Sequence, residues 1–312
     1  MVEYKVGKME TGKKVHRLVR QLLPGVPLSG IYKMLRTGRV KLNGKKAKAD
    51  DIVKVDDVVH LYMAHDDYEA VSKPKKKFVG IERTLTVVFE DEAILVVDKP
   101  AGLLVHGAKE EQKDTLVNRV LAYLSDKGEL QQQIFTPASV NRLDRNTSGL
   151  VLFGKTGDTM RQLALDVAEH RVRKWYLALV EGKLEPSGEI SGNLVRDPDR
   201  NRTRVAEHGK EALTRYVLQA SSRTSSVAKV ELVSGRTHQI RAHFESIGHP
   251  LWGDVKYNGL RGGETGQHQW LHAAWLQLAD GRTFHSPLPA AFKEQLHLLG
   301  YTAHQLVEMQ EF

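Results

Sequence analysis

The sequence predicts an α+β protein in two parts. A small N-terminal α+β module covers residues 13–64, and a larger domain over 84–312 is built on a mixed, mainly antiparallel sheet; residues 65–83 join them as a basic linker. Three observations carry this prediction. The 312 residues suffice for two domains at about 150 residues each. Residues 1–83 hold 19 basic and 10 acidic side chains and the remainder 27 and 28, so the whole formal surplus of +8 sits in the first quarter. Beyond residue 84, strands and helices alternate irregularly with several hairpin-compatible neighbours, unlike the regular alternation of a doubly wound sheet.

Val15, Leu18, Val19, Leu22 and Leu23 recur at helical spacing, and Pro24-Gly25 stops the run. Ser29 reads as the N-cap of a second short helix, with Ile31, Met34 and Leu35 inward and Gly38 at its end. Val40 and Leu42, the hairpin dipeptide Asn43-Gly44 and the β-rich run 52–62 complete a helix, helix, small-sheet pattern. Residues 65–83 carry charge and little apolar pattern. Their cluster Lys73, Lys75, Lys76 and Lys77 fits RNA contact and a flexible tether equally.

In the second part, the runs 85–89 and 94–98 flank the acidic turn Glu90-Asp91-Glu92 as a hairpin. Leu116, Val117, Val120, Leu121 and Leu124 describe an amphipathic helix, and Met160, Leu163, Ala164, Val167 and Ala168 another. Strands are expected at 150–153, 174–181, 212–220, 227–233 and 270–278. The segment 235–244 leaves a strand and starts a helix, with Thr237 as cap, Ile240, Phe244 and Ile247 as core stripe, and Gly248 with Pro250 as stop.

Composition removes several classes of function. With no cysteine, disulfide scaffolds, thiol catalysis, iron–sulfur clusters and cysteine–zinc sites fall away. Apolar runs such as 93–97 are far too short to span a bilayer and MVEYKVGKMETG has no signal h-region, so a soluble cytoplasmic protein is expected. Neither GxGxxG nor GxxxxGK[ST] occurs.

Eleven Lys or Arg and no acid lie between Lys13 and Lys48. A solvated face mixes signs, so this single-sign stripe, including Lys33, Arg36, Arg39, Lys41, Lys45 and Lys46, points to phosphate contact. NRLDRNTSG (141–149) is by residue statistics a turn, yet Arg142 and Arg145 bracket one carboxylate, Asp144, in a manner that keeps it ionised and offers phosphate contacts. In KWYLALV the two-residue period puts Tyr176, Ala178 and Val180 on one sheet face and Trp175, Leu177 and Leu179 on the other, and Tyr176 alone reads as core. Arg241, one turn into its helix and off the core stripe, needs a local anion, for which Asp144 would serve. His238, His243, His249, His268 and His272 supply imidazoles, but the spacing of five between the first two is not the i, i+4 geometry of helical metal ligands, and HExxH is absent. The loop 99–106 (KPAGLLVH) reads as a strand end with Gly102 supplying backbone freedom.

Taken in order, these patches resemble the RluA-type pseudouridine synthases. AILVVDKPAGLLVH (93–106) resembles the first motif of that family, NRLDRNTSG its catalytic RLDxxTSG loop, KWYLALVEG (174–182) the tyrosine strand and GRTHQIRAH (235–243) the arginine motif. LHAAWLQL and the segment 284–287 fit as well, and residues 13–62 resemble the S4 RNA-binding module. The combination is most similar to the large-subunit ribosomal RNA enzymes of the family, the RluC branch in particular, over all but the linker and termini.

The resemblance implies a pseudouridine synthase fold and roles for named residues. Asp144 becomes the catalytic carboxylate, and Tyr176 the group beneath the target base and candidate base for its C5 proton. Arg241 becomes the ion-pair partner of Asp144, while Arg142 assists RNA docking and base extrusion, with Arg145 as a further RNA contact. Asn141 stands where many relatives have His, so a contact to displaced RNA is expected to differ. The implied reaction is redox-neutral, so no cofactor and no metal are expected; the partner is RNA, specifically 23S ribosomal RNA, and a monomer is the expected state. Three alternatives stand beside this reading: a non-catalytic RNA-binding or ribosome-assembly protein of the same fold, a synthase acting on transfer RNA, and a metal-dependent RNA hydrolase.

Overall fold

The computed structural model describes residues 1–72, 80–107, 113–130, 135–260 and 268–310, so the lysine cluster at Lys73, Lys75, Lys76 and Lys77 lies outside the described residues. The chain divides into two compact units, Met1–Gly80 with Gly128–Thr136, and Ile81–Lys127 with Pro137–Phe312. Among the described residues, no helix is long and apolar enough to cross a membrane.

In the first unit, β1 (Val2–Lys5), α1 (Val15–Leu22), α2 (Leu28–Arg36), β2 (Val40–Leu42), β3 (Lys45–Lys46) and β4 (Val58–Leu61) are followed by α3 (His65–Ser72). The sheet runs β1-β4-β2-β3 with antiparallel pairs. The stripe Val15, Leu18, Val19 and Leu22 is buried as its spacing requires, against Ile31, Leu35, Val59 and Leu61. Asn43 (φ 49°) and Gly44 (φ 77°) take the left-handed conformations that a two-residue hairpin demands. Three expectations change here. The second helix opens on Pro27 rather than Ser29, because the proline ring already fixes a φ of −57° and leaves Ser29 within the first turn. A strand, β1, precedes Lys13 and pairs with β4, while of the run 52–62 only β4 is a strand and Ile52 makes a lone bridge to Lys14. Residues 65–72, expected as linker, form α3, whose Tyr68 and Val71 pack on the N-terminal core.

The second unit has β5 (Thr86–Glu90), β6 (Ile94–Lys99), α4 (Leu116–Asp126), β7 (Ala138–Ser139), β8 (Ser148–Gly154), α5 (Gly157–Ala168), β9 (Arg173–Glu181), β10 (Ser187–Asp197), β11 (Arg202–Ala206), β12 (Lys210–Ser221), β13 (Ser225–Leu232), α6 (Gln239–Ser246), β14 (Leu271–Gln277), β15 (Thr283–His285), α7 (Ala290–Leu298) and α8 (Ala303–Glu308). They form one eleven-stranded sheet in the order β11-β10-β12-β13-β9-β14-β8-β6-β5, with β15 on β14 and β7 on β8. All its strand pairs are antiparallel except β14 with β8. Trp175, Leu177 and Leu179 of β9 face a core with Trp270, Trp275, Leu288 and Phe292, so the pleat turns Tyr176 to the other side.

The parallel pair positions the site. Ala273 of β14 lies opposite Gly149 of β8 on one side and Tyr176 of β9 on the other, which brings the end of the 141–147 loop level with Tyr176. A Cβ on Gly149 (φ 110°) would stand 2.2 Å from the Ala273 carbonyl oxygen, so only glycine permits this approach.

Candidate active site

The loop that carries Asp144 is pinned from both sides. Lys99, fully buried at the end of β6, donates from Nζ to the carbonyls of Pro100 (2.8 Å), Leu103 (2.8 Å) and Arg145 (2.9 Å). Burial pulls its pKa down to about 7, against the charges of Asp144 and Asp98. The three carbonyls favour the ammonium, because a neutral amine has only two N–H donors. On the far side, Ser148 Oγ lies 2.9 Å from His272 Nδ1, and Gln269 Nε2 donates to Thr147 Oγ1 at 3.3 Å. Between these anchors the Asp144 side chain, 24% exposed, reaches an open cleft.

Arg241 meets Asp144 there, its Nη1 donating to Oδ2 at 3.0 Å. Its stronger attachment is elsewhere. Nε and Nη2 form a two-pronged pair with Asp254 at 2.6 and 2.8 Å, and the guanidinium lies 4.6 Å from the centre of the Tyr257 ring. Burial opposes the charge of Arg241, but the hydrogen bonds and charge of Asp254, with the charge of Asp144, outweigh it and raise the pKa. Two carboxylates against one guanidinium leave the group with a net negative charge on the cleft side.

The αL backbone of His238 (φ 54°) turns its ring into the same place, Nε2 lying 3.7 Å from Asp144 Oδ2. Tyr257 holds the ring there: its hydroxyl accepts from Thr203 N (2.8 Å) and lies 2.9 Å from His238 Nδ1, which leaves Nε2 facing Asp144. Burial holds this ring below its usual pKa and therefore neutral, against the pull of Asp144.

Tyr176, 5% exposed, lines the cleft with Asp144, and its hydroxyl makes no hydrogen bond among the described residues. Burial raises its pKa strongly and the Asp144 charge adds to this, so it stands as a neutral phenol. Arg142 lies exposed at the rim, and it is the backbone carbonyl of Arg145, not its exposed guanidinium, that the loop anchors use. Asn141 pairs its amide with β8, donating to Leu150 O (3.1 Å) and accepting from Leu152 N (2.8 Å). In the N-terminal unit Lys33, Arg36, Arg39, Lys45 and Lys46 are exposed, and the half-buried Lys41 holds its ammonium 4.8 Å from the Tyr62 ring centre.

Two local expectations fail. Thr237 does not cap α6, whose N-cap is His238 without a side-chain bond, because the αL turn aims His238 at Asp144 instead. Ile247 is 39% exposed, since α6 buries Gln239, Arg241 and His243 beside Ile240 and Phe244 rather than a single apolar stripe. The remaining histidines have separate partners: His243 with Thr214, His249 with the Glu181 carbonyl, His268 with the Trp270 ring and His272 with Ser148 and the Ser286 carbonyl. Among the described residues no three ligand-type side chains converge on a metal position. Asp254, Tyr257 and the Lys99 anchor went unseen in the sequence, although the apolar and glycine neighbours of Asp254 in LWGDV are a local sign of a buried acid.

A sequence model described as RNA pseudouridylate synthase matches residues 93–246, and one for the S4 domain matches residues 14–59. The chain is 31% identical over 306 residues to a ribosomal large subunit pseudouridine synthase D of Pseudomonas aeruginosa, covering 92% of each chain. It is 30% identical over 310 residues to a ribosomal large subunit pseudouridine synthase C of Salmonella typhimurium, covering 93% of this chain and 94% of that one. Its fold matches the solved structure of human RNA pseudouridylate synthase domain containing 4 with a TM-score of 0.58 at 21% identity, covering 69% of this chain and 92% of that one.

Proposed function

The chain belongs to the RNA pseudouridine synthases, and on that premise we propose that it isomerises specific uridines of 23S ribosomal RNA in the cytoplasm, with Asp144 as the catalytic carboxylate. The names of the two bacterial relatives support the large-subunit substrate. The observation that carries the residue assignment is the Asp144–Arg241–Asp254 group: Arg241 is held by Asp254, so it offers one N–H to Asp144 and leaves that carboxylate anionic at the cleft.

The reaction breaks the N1 to C1′ bond, turns the uracil and joins C5 to C1′. An anionic carboxylate beside the sugar suits that rearrangement, acting as nucleophile or base while the uracil leaves and returns. The base must leave its stack to reach the cleft, at a cost of a few kcal/mol. Phosphate contacts from Arg142, Arg145 and the N-terminal lysines and arginines would offset that cost. Tyr176 as a neutral phenol suits a place beneath the extruded base. The same protonation counts against it as the group that takes the C5 proton.

Release of tritium from C5 of uridine-labelled large-subunit RNA tests the reading. Wild type releases label, and Asp144→Ala and Asp144→Asn do not; full activity in either variant defeats the assignment, and no release by wild type favours a non-catalytic RNA-binding protein. Scission abolished by chelation would identify a hydrolase. Carbodiimide primer-extension mapping of ribosomal and transfer RNA from a deletion strain identifies the uridines and separates the two substrate classes.

A further inference from the structure

We propose that the cleft beside Asp144 contains a subsite for a phosphodiester of the RNA backbone, with Lys174 as its central cation and Arg236 and Arg142 at its sides. This rests on the RNA-modifying function proposed above and adds the atoms that grip the strand. Lys174 precedes Tyr176 by two residues on β9, so the pleat puts both on the same sheet face, about 7 Å apart along the strand. A step of this size is of the order that separates a nucleotide's base from its own phosphate. The Lys174 ammonium stands 3.9 Å from where a Cβ on Gly235 would sit, at the turn that leads into Arg236.

Lys174 is half-buried on β9, and burial lowers its pKa. Among the described residues no carboxylate, carbonyl or ring receives its ammonium. A partly desolvated cation without an anion costs free energy that an apolar side chain in the same wall would not. The neighbouring charges do not resolve it. The cleft, with an empty volume of about 780 Å³, is lined by Arg142, Lys174 and Arg236 against one carboxylate, Asp144, which Arg241 already engages. Arg236 commits only Nε, to the Glu211 carbonyl at 3.2 Å, and the Arg142 guanidinium makes no hydrogen bond among the described residues. A diester supplies one negative charge that travels with the nucleotide, and a lysine receives it as a point charge without reading sequence.

The test is equilibrium binding of the full-length chain to a fluorescent oligouridylate, which offers unpaired uridines and phosphodiesters whatever the natural target, over roughly 50–200 mM salt. Lys174→Gln should weaken binding about three- to tenfold and flatten the slope of log K against log salt by about 0.7, the value for one phosphate contact on a single strand. Lys174→Arg should keep the wild-type slope. Arg236→Gln should flatten it by a similar amount, which keeps the subsite testable should Lys174→Gln misfold. An unchanged slope in folded Lys174→Gln overturns the proposal, as does an unchanged slope in Arg236→Gln should Lys174→Gln misfold. The outcome is separable from that of the enzymatic reading: wild type that releases tritium while Lys174→Gln keeps its slope loses only the subsite, and flattened slopes without any tritium release lose only the synthase.

Discussion

Asp144 depends on a guanidinium that is more firmly committed to another residue. Arg241 gives Asp254 two short bonds and Asp144 one, so Asp254, only 2% exposed, sets where the Arg241 fork lies. Removing Arg241 therefore strands two acids. Arg241→Met should cut turnover far more than RNA affinity and should destabilise the protein by about 3–5 kcal/mol, the usual cost of breaking a buried pair. Equal losses in turnover and affinity would contradict the ion-pair role. Asp254→Asn is the sharper variant, because it leaves Asp144 and Arg241 in place and frees only the fork. Turnover should fall by about 100-fold with KM nearly constant, as a misplacement of the order of 1 Å does; single-turnover tritium release on saturating RNA measures it, and a wild-type rate would show that Asp254 does not position Arg241. The sequence exposed one half of this group. An arginine off the core stripe of its helix required an anion, and Asp144 was visible as a carboxylate between two arginines. Asp254 sits thirteen residues beyond Arg241 in no motif, and only the return of the chain after α6 brings it back to the guanidinium.

Elements with an apolar helical stripe or a continuous apolar run were legible: α1, α4, α5, β6, β8, β9 and β13 lie close to where the pattern put them. The strands β10 and β11 were not. They form the outer part of the sheet, alternate buried and exposed positions irregularly and carry few apolar side chains, so there was no period to detect. The β8–β14 pair was equally silent, since register between distant strands leaves no local trace. Polar ties between elements were also hidden, and one has a pH signature. Glu90 at the end of β5 accepts from Lys155 (2.8 Å), Lys127 (2.9 Å) and Tyr123 (2.7 Å), joining β5 to α4 and to the segment before α5. Burial alone would raise its pKa; the bonds from Lys155, Lys127 and Tyr123 outweigh it and bring the carboxyl down to about 2. A carboxyl depressed in the folded state contributes stability above its unfolded value of about 4.3 and loses it as pH falls through the folded value. Unfolding of wild type by denaturant should thus lose on the order of 2 kcal/mol from this group between about pH 5 and 2. Glu90→Gln should lack that part of the decline; parallel pH curves for the two proteins would remove Glu90 from the account.

At the scale of the molecule, the surplus charge and the Asp144 cleft belong to different compact units. Residues 1–80 carry 18 of the 46 basic and 9 of the 38 acidic side chains, so the rest of the chain has a net charge near zero and its cations are concentrated rather than abundant. The N-terminal unit has its own core of Val15, Leu18, Val19, Ile31, Val59 and Leu61, and among the described residues the side chains that line the Asp144 cleft belong to the second unit. Affinity and turnover should therefore separate. If four to six N-terminal cations meet phosphates, deleting residues 1–80 removes about 3–5 from the slope of log K against log salt. The boundary belongs after α3 rather than at residue 64, because cutting earlier strips Tyr68 and Val71 from the core on which they pack. A shallow slope of about −2 should remain, from the three cations of the cleft at about 0.7 each. Turnover on saturating RNA should stay within a few-fold of wild type, because Asp144, Arg241, Asp254 and Tyr176 keep every anchor described for them. Titrations of both forms at several salt concentrations, paired with tritium release at saturation, decide the matter. An unchanged slope would take the basic unit out of binding, and a collapse of turnover at saturation would mean that the N-terminal unit takes part in the chemical step.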